Sequence, residues 1–291
     1  MFMQLLDGKI VRDKIAEELK AEIAKLDQKP ELVIFQVGAV AESNTYIGQK
    51  VKFGEKIGAI VTHTKLPSDV MQAELVQQIQ LANENASVTG IIVQLPIPDT
   101  LDKDKIIEAI DPKKDVDGQT ARNIKLLVEN GDGFVPATTK GVLTLLQHYK
   151  IPISGQNVVV VGRSTLVGKP TALAFLNADA TVTIAHKKTQ DLAAVCKTAD
   201  ILICAVGKVN LIGKEHVKEG QVIVDVGINV LDSGIETSDQ EPKKRQLVGD
   251  VDFEAVKDIV FAISPVPGGA GPMTVASLFQ NLMEAYKLQN A

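Results

Sequence analysis

Short β-branched runs alternate with segments of helical period along most of this chain, and that alternation constrains its fold more than any other feature. Residues 32–37, 59–65 and 89–94 read as strands, the first of them buried, and residues 42–56, 69–83 and 103–110 read as helices. Ahead of them Asp7 can cap a first helix, with Val11, Ile15, Leu19, Ile23 and Leu26 recurring on one side before Pro30. Residues 111–118 are polar and turn-rich, and Gly131-Asp132-Gly133 and Pro136 punctuate the stretch beyond them. A connecting helix at 139–149 then opens a second series. Its strands fall at 157–161, 181–185, 200–206 and 221–226, its helices at 168–176 and 190–197, and a final helix at 274–288. Strands joined through helices run parallel and are covered by them, so the fold class is α/β. Two series and 291 residues imply two domains, since one core rarely serves that length.

Composition then narrows the partners. There are 31 Lys+Arg against 36 Asp+Glu, a net charge of -5, which makes no electrostatic case for nucleic acid or an anionic membrane. With no Trp, three Tyr and eight Phe, base-stacking platforms are not expected either. No stretch approaches the roughly 20 apolar residues of a membrane helix. The start lacks a signal peptide's basic and apolar regions, so a cytoplasmic protein is expected. Cys196 and Cys204 have no His or third Cys at zinc-like spacing, and read as small core residues. His63, His148 and His216 sit in no motif and read as structural or surface residues. Residues 232–246 read as an exposed excursion, with Lys243-Lys244-Arg245 a solvated run.

The run Val158-Val159-Val160-Val161 leads directly into Gly162-Arg163-Ser164-Thr165-Leu166-Val167-Gly168. A buried strand, a glycine turn and a helix start can aim backbone N–H groups at a pyrophosphate. The turn departs from Gly-x-Gly-x-x-Gly, because Ser164 stands at the second glycine, and an ordinary βα turn fits it as well. The next strand is more informative. An NAD site usually has an acid about 20 residues beyond the turn, but here the strand ends in His186-Lys187-Lys188-Thr189. A 2′-phosphate suits Arg163, Ser164 and Lys187, so the cofactor expected is NADP.

Tyr46 and Lys50 are four apart on the second helix of the first series and share a face. A lysine whose pKa is lowered by burial can move protons near neutral pH. An amphipathic helix with an exposed Lys fits the spacing equally. Gln94 ends a strand, where open α/β sheets hold ligands, though such residues often only cap turns. Asp115 and Asp117 read either as paired carboxylates or metal ligands, or as an Asx turn ending in Gly118.

Read together, five motifs resemble the bifunctional methylenetetrahydrofolate dehydrogenase/cyclohydrolase family over nearly the full length. They are Tyr46-Ile47-Gly48-Gln49-Lys50, Gln94-Leu95-Pro96-Ile97-Pro98, Lys114-Asp115-Val116-Asp117-Gly118, the 162–168 turn, and Pro265-Val266-Pro267-Gly268-Gly269-Ala270-Gly271-Pro272-Met273-Thr274. The resemblance implies a folate-binding catalytic domain (1–121 with 272–291) and a Rossmann-like NADP-binding domain (122–271), with the active site in a cleft between them. It implies Lys50 as catalytic lysine, Gln94 as the residue that holds it, and Asp117 as the pterin's anchor. Tyr46 stacks on the folate, and Ser43, Pro267, Gly268 and Gly269 join the substrate set. Cofactor contacts are implied at Thr138, Gly162, Arg163, Ser164, Val167, Gly168, His186, Lys187, Gly207 and Ile228. The implied chemistry is hydride transfer to NADP and then hydrolysis of the methenyl product, with no metal, in a homodimer.

There are departures from the family pattern. The Phe-His-Pro-x-Asn common after the Asp-Gly is Gln119-Thr120-Ala121-Arg122-Asn123 here, with Lys125 where a glycine is usual. Pro-Cys-Thr-Pro is Pro136-Ala137-Thr138-Thr139, and Ala270 replaces a valine. Two other readings are a shikimate- or amino-acid-type dehydrogenase and a non-catalytic dinucleotide sensor. The Gln94-Leu95-Pro96 and Pro-Gly-Gly segments argue against the first, and the presence of Lys50 and Asp117 against the second.

Overall fold

The computed structural model describes residues 3–232 and 245–290. In chain order the elements begin β1 (Gln4–Leu5), α1 (Gly8–Ile23), β2 (Glu31–Val37), α2 (Ala41–Ile57), β3 (Ile60–Leu66), α3 (Gln72–Glu84), β4 (Val88–Gln94), α4 (Lys103–Glu108), α5 (Ala121–Val128) and α6 (Ala137–His148). They continue β5 (Asn157–Val161), α7 (Gly168–Asn177), β6 (Thr181–Ala185), α8 (Leu192–Thr198), β7 (Ile201–Cys204), β8 (Val222–Asp225), β9 (Asn229–Asp232), β10 (Arg245–Val248), α9 (Phe253–Val256), β11 (Ala262–Ile263) and α10 (Ala270–Gln289). Two compact units result: Met1–Val11 with Gly141–Met273, and Arg12–Lys140 with Thr274–Ala291.

The unit holding Arg12 is built on a parallel sheet of order β3-β2-β4. One face, with Val33, Phe35, Val37, Ile91 and Val93, packs with Leu75 and Ile79 of α3 and Ile106 and Ile107 of α4. Alternation turns Gln36 and Gln94 the other way, and the two are in register on β2 and β4. Close packing on that side depends on a missing side chain. A Cβ on Gly90 would lie 2.6 Å from a Val116 methyl and 2.7 Å from a Leu282 methyl of α10. The Phe53 and Phe279 rings join α2 to α10, with centroids 5.2 Å apart. Residues 122–140, expected with the dinucleotide-binding part, fall in this unit, because Asn281 of α10 donates to the carbonyls of Val116 (2.8 Å) and Val135 (2.9 Å). Helix α5 is not evident from sequence periodicity. Thr120 caps it, accepting from the Asn123 N–H at 3.4 Å.

The other unit holds a six-stranded parallel sheet of order β1-β11-β8-β7-β5-β6. The chain leaves β5 for β6 on one side and returns to β7 on the other. Such a switch point opens a crevice at the carboxyl ends of the strands, where doubly wound sheets bind ligands. Val159, Val161, Leu202, Cys204, Ile223 and Ile263 form its core with Cys196, Val256 and Val260. Both cysteines are buried as expected, and burial pushes the Cys196 thiol up to about 11. The N-terminal residues belong here because Gln4 and Leu5 pair with Ala262 and Ile263. Part of the expected excursion is an antiparallel pair, β9 with β10. Residues 233–244, which include Lys243 and Lys244, lie outside the described residues. Helix α10 starts at Ala270 rather than 274, since Pro272 sits in its first turn, where a missing N–H is harmless.

Candidate active site

Ser43, Tyr46 and Lys50 are spaced i, i+3 and i+7 on α2 and so share one face. The Lys50 Nζ donates to Gln94 Oε1 at 2.8 Å. Gln94 Nε2 donates to the Leu95 carbonyl at 2.7 Å, so the amide is oriented with its oxygen toward the lysine. Burial pushes Lys50 below the ordinary lysine value, and the Asp117 carboxylate pulls it partly back. Asp117 itself is raised to about 6, first by burial and then by Asp115, against the pull of Lys50, Gln119 and the Ala137 N–H. Tyr46 is half-buried, and burial raises its phenol. Ser43 is 3% exposed, and its hydroxyl has no hydrogen-bond partner among the described residues.

The loop that carries Asp117 is held from three sides. Lys114 is buried, and its ammonium donates to the carbonyls of Ala82 (3.2 Å), Asn83 (2.7 Å) and Asn85 (2.8 Å) at the end of α3. That satisfies carbonyls a helix end would otherwise leave open. The Ile91 N–H donates to the Lys114 carbonyl at 2.7 Å, which fastens the loop to β4. Asp115 accepts from the Thr120 N–H at 2.7 Å and from Asn123 Nδ2 at 2.9 Å. Of the readings left open for the two aspartates, Asp115 is therefore a turn-former. Gly118, at φ 67°, has no room for a Cβ, which would meet the Phe134 carbonyl oxygen at 2.5 Å. Among the described residues no group of three or more His, Cys, Asp or Glu is placed to hold a metal.

Two features here are not evident from the sequence. Gln119 donates its Nε2 to Asp117 Oδ2, while its Oε1 is buried without a partner among the described residues. The departure from the family pattern at 119 is the one signal that points to it. His63, which belongs to no motif, meets Gln36 Oε1 at 2.8 Å, and Gln36 Nε2 donates to Asn44 Oδ1 at 2.8 Å, which ties β3 and β2 to the first turn of α2.

In the other unit Gly162 comes after β5 at φ 127°, and a Cβ there would lie 2.2 Å from the Ala205 carbonyl oxygen. Only glycine allows the turn to pass so close to the end of β7. Ser164 Oγ accepts from the N–H groups of Val167 (3.2 Å) and Gly168 (3.3 Å), so it braces the turn and keeps its own O–H to donate. Val161 and Ala185 are in register, which sets Arg163 and Lys187 two residues beyond adjacent strand ends. Both are exposed, and neither has an ion-pair partner among the described residues. His186 shapes the turn after β6 by accepting at Nδ1 from the Lys188 N–H at 3.2 Å.

Gly207 and Ile228 are set by two buried aspartates. Asp250 Oδ2 accepts from the N–H of Val206 (2.6 Å) and Gly207 (3.1 Å). Its Oδ1 accepts from the N–H of Lys208 (2.8 Å) and from Asn229 Nδ2 (3.1 Å). Asp225 accepts from the N–H groups of Gly227, Asp250 and Val251 and is raised to about 7, chiefly by burial.

The expected site residues are divided between the two units. Pro267, Gly268 and Gly269 fall in the unit with β5, not in that of Lys50. There Gly268 O accepts from the Gly8 N–H at 2.9 Å, and a Cβ on Gly8 would be 1.9 Å from Gly269 O. These glycines are thus engaged in seating the start of α1. Thr138, expected at the cofactor, lies in the unit of Lys50, where Thr274 Oγ1 donates to its hydroxyl at 3.3 Å.

A doubly wound sheet with two cations beyond adjacent strand ends, together with a unit carrying a partly buried lysine coupled to an aspartate, defines a two-unit dinucleotide-dependent α/β enzyme. Family comparison agrees. Residues 6–117 match the catalytic domain of tetrahydrofolate dehydrogenase/cyclohydrolase, and residues 136–290 match its NAD(P)-binding domain. The chain belongs to the tetrahydrofolate dehydrogenase/cyclohydrolase family. It is 45% identical over 288 residues to the bifunctional protein FolD of Campylobacter hominis, with 98% of each chain covered. It is also similar to the crystal structure of the bifunctional FolD from Campylobacter jejuni, at 42% identity and TM-score 0.93 over 98% of this chain and 99% of that one. The Trypanosoma brucei FolD, solved in complex with NADP cofactor and an inhibitor, is 32% identical with TM-score 0.92 over 99% and 98% of the two chains.

Proposed function

We propose that this chain oxidises 5,10-methylenetetrahydrofolate to 5,10-methenyltetrahydrofolate with NADP and hydrolyses that product to 10-formyltetrahydrofolate, in one-carbon metabolism. The observation that carries the reading is the partly buried Lys50, bonded to Gln94 and coupled to Asp117, in a chain of this family.

NADP supplies the hydride acceptor when bound. Arg163 and Lys187 fit its 2′-phosphate, being neighbouring cations with no ion-pair partner among the described residues. The 162–168 turn fits the pyrophosphate, and this reading assigns Val167, His186, Gly207 and Ile228 to the rest of the nucleotide. Asp117 suits the pterin's donor nitrogens, Tyr46 the flat ring system, and Ser43 a polar group of the substrate. For the first step the protein needs only to orient and to exclude water.

The second step needs a proton carrier. Water adds to the methenyl carbon and Lys50, whose pKa burial lowers, takes a proton from it. The carbon–N5 bond breaks as N5 is protonated, and one proton is released overall. Gln94 suits this work because a neutral acceptor holds the amine without raising its pKa as a carboxylate would. Pro267, Gly268 and Gly269 complete the substrate set in this reading.

The reading also has the chain acting in the cytoplasm as a homodimer and supplying formyl groups for purine biosynthesis. Ile184, 42% exposed on the edge strand β6, and the exposed Val230, Leu231 and Leu247 on β9–β10 offer apolar surface to a second copy. Sedimentation at micromolar concentration checks that part. A spectrophotometric assay with methylenetetrahydrofolate and either NADP or NAD checks the chemistry. NADPH formation and then methenyl decay are expected, and a protein that turns over neither compound refutes the reading.

A further inference from the structure

We infer that Gln36 is a positioning residue for the folate reaction: its amide, held by His63, grips Asn44 and so sets the first turn of α2, which carries Ser43 and leads into Tyr46, against the sheet. This rests on the folate reading above, in which Tyr46 meets the flat ring system. Alternation along β2 puts Gln36 in the inward row of Leu32 and Ile34, both 0% exposed, and Gln36 itself is 1% exposed. An apolar side chain would pack there without polar partners, whereas a buried amide needs partners at both ends. Gln36 has them. Its Oε1 meets His63 Nε2 on β3 and its Nε2 donates to Asn44 Oδ1, both at 2.8 Å. A carbonyl oxygen only accepts, so in this arrangement the His63 nitrogen is the donor.

The tether falls where α2 has least of its own to hold it. Val40, at the N-cap, is apolar and gives the first turn no side-chain acceptor. Farther along, Lys50 is bonded to Gln94, Phe53 packs on Phe279, and Gly58 closes the helix in the left-handed conformation. Asn44 precedes Tyr46 by two residues and Lys50 by six, so releasing the first turn displaces Tyr46 more than Lys50. Gln36 is in register with Gln94 on β4. Two glutamines on one face of the sheet thus hold one helix at two points. Gln94 holds the proton carrier, and Gln36 holds the end that stacks on the substrate.

The test uses the full chain with Gln36→Leu, and with Asn44→Ala, which cuts the same tether from its exposed end and leaves the core filled. KM and kcat are measured for both steps, together with KM for NADP and thermal melting. Loss of one hydrogen bond predicts that KM for methylenetetrahydrofolate and for methenyltetrahydrofolate rises about 3- to 10-fold in either variant. The kcat for hydrolysis should stay within about twofold, because the bond from Lys50 to Gln94 is intact, and so should KM for NADP. The double variant should be no worse than the worse single one, since both changes cut one tether. In a Tyr46→Ala background, Gln36→Leu should raise folate KM by less than about twofold more, because the residue it places is gone. A merely structural glutamine would lower melting and add its full effect in that background. An unchanged folate KM in Asn44→Ala, or an equal rise from Gln36→Leu with and without Tyr46, overturns the assignment of Gln36. If the parent protein turns over neither folate compound, it is the folate reading that fails instead.

Discussion

Asp250→Asn offers a way to separate the two activities. In the native chain each carboxylate oxygen accepts two donors: Val206 and Gly207 N–H on Oδ2, Lys208 N–H and Asn229 Nδ2 on Oδ1. The substituted amide has nearly the same shape but a single acceptor oxygen. Whichever way it turns, two of those four donors face an NH2 group and lose their partner. Each buried donor left open costs about 1–3 kcal/mol. With some relaxation of the 206–208 turn, the total loss should be about 3 kcal/mol. For a chain of this size that lowers the melting temperature by about 6–12 °C. The damage is local to the loops carrying Gly207 and Ile228. KM for NADP in the dehydrogenase assay should rise about tenfold, as one or two lost contacts imply. Hydrolysis of supplied methenyltetrahydrofolate, assayed without NADP well below the melting point, should change less than about twofold, since Lys50, Gln94 and Asp117 are in the other unit. Equal loss of both activities at a temperature where the variant is folded would refute the local account of Asp250, and so would an unchanged KM and melting point.

The same geometry sets other outcomes. Lys50→Met should abolish cyclohydrolysis while tetrahydrofolate still binds, seen as stable accumulation of the methenyl absorbance. Arg163→Ala should weaken NADP at least about tenfold and NAD little, read from the two KM values, if the cation meets a 2′-phosphate. Folate KM should rise as pH falls through about 6, where Asp117 takes up a proton. The same shift acts on folding with the opposite sense: a carboxyl raised above its unfolded value favours the native state at low pH, and that contribution fades as pH climbs through about 6. Lys114→Met should cost about 2–4 kcal/mol by opening three carbonyls at the end of α3, measured by urea unfolding.

The parallel sheets and most helices are legible in the sequence because burial imposes a period, and Val158 to Val161 or the row from Val11 to Ile23 carry it plainly. The two-residue strands β1 and β11 have no period to show; they exist because Gln4 and Leu5 find Ala262 and Ile263 at long range. Helix α5 is hidden behind a turn-rich neighbourhood, its start set by one threonine. At the site, Lys50, Gln94 and Asp117 stand out through a resemblance, since spacing alone leaves each of them ambiguous. The structure adds that Lys50 donates to Gln94 across the chain, a pairing no spacing could show. Asp250 is silent in the sequence because its importance lies in which backbone atoms it reaches. A residue type cannot announce a partner that is distant in the chain, as Asp250 is from Val206.

Because Gln4 pairs in register with Ala262, and the sheet of β2 is backed by α10, neither unit is a contiguous stretch of polypeptide. A ribosome that has delivered roughly the first two-thirds of the residues has finished neither half. The lysine and the nucleotide-binding crevice must both wait for the last helix and strand to emerge. Chains cut short in translation should therefore carry neither activity, and a cell would not accumulate fragments that make the reactive methenyl compound without being able to hydrolyse it.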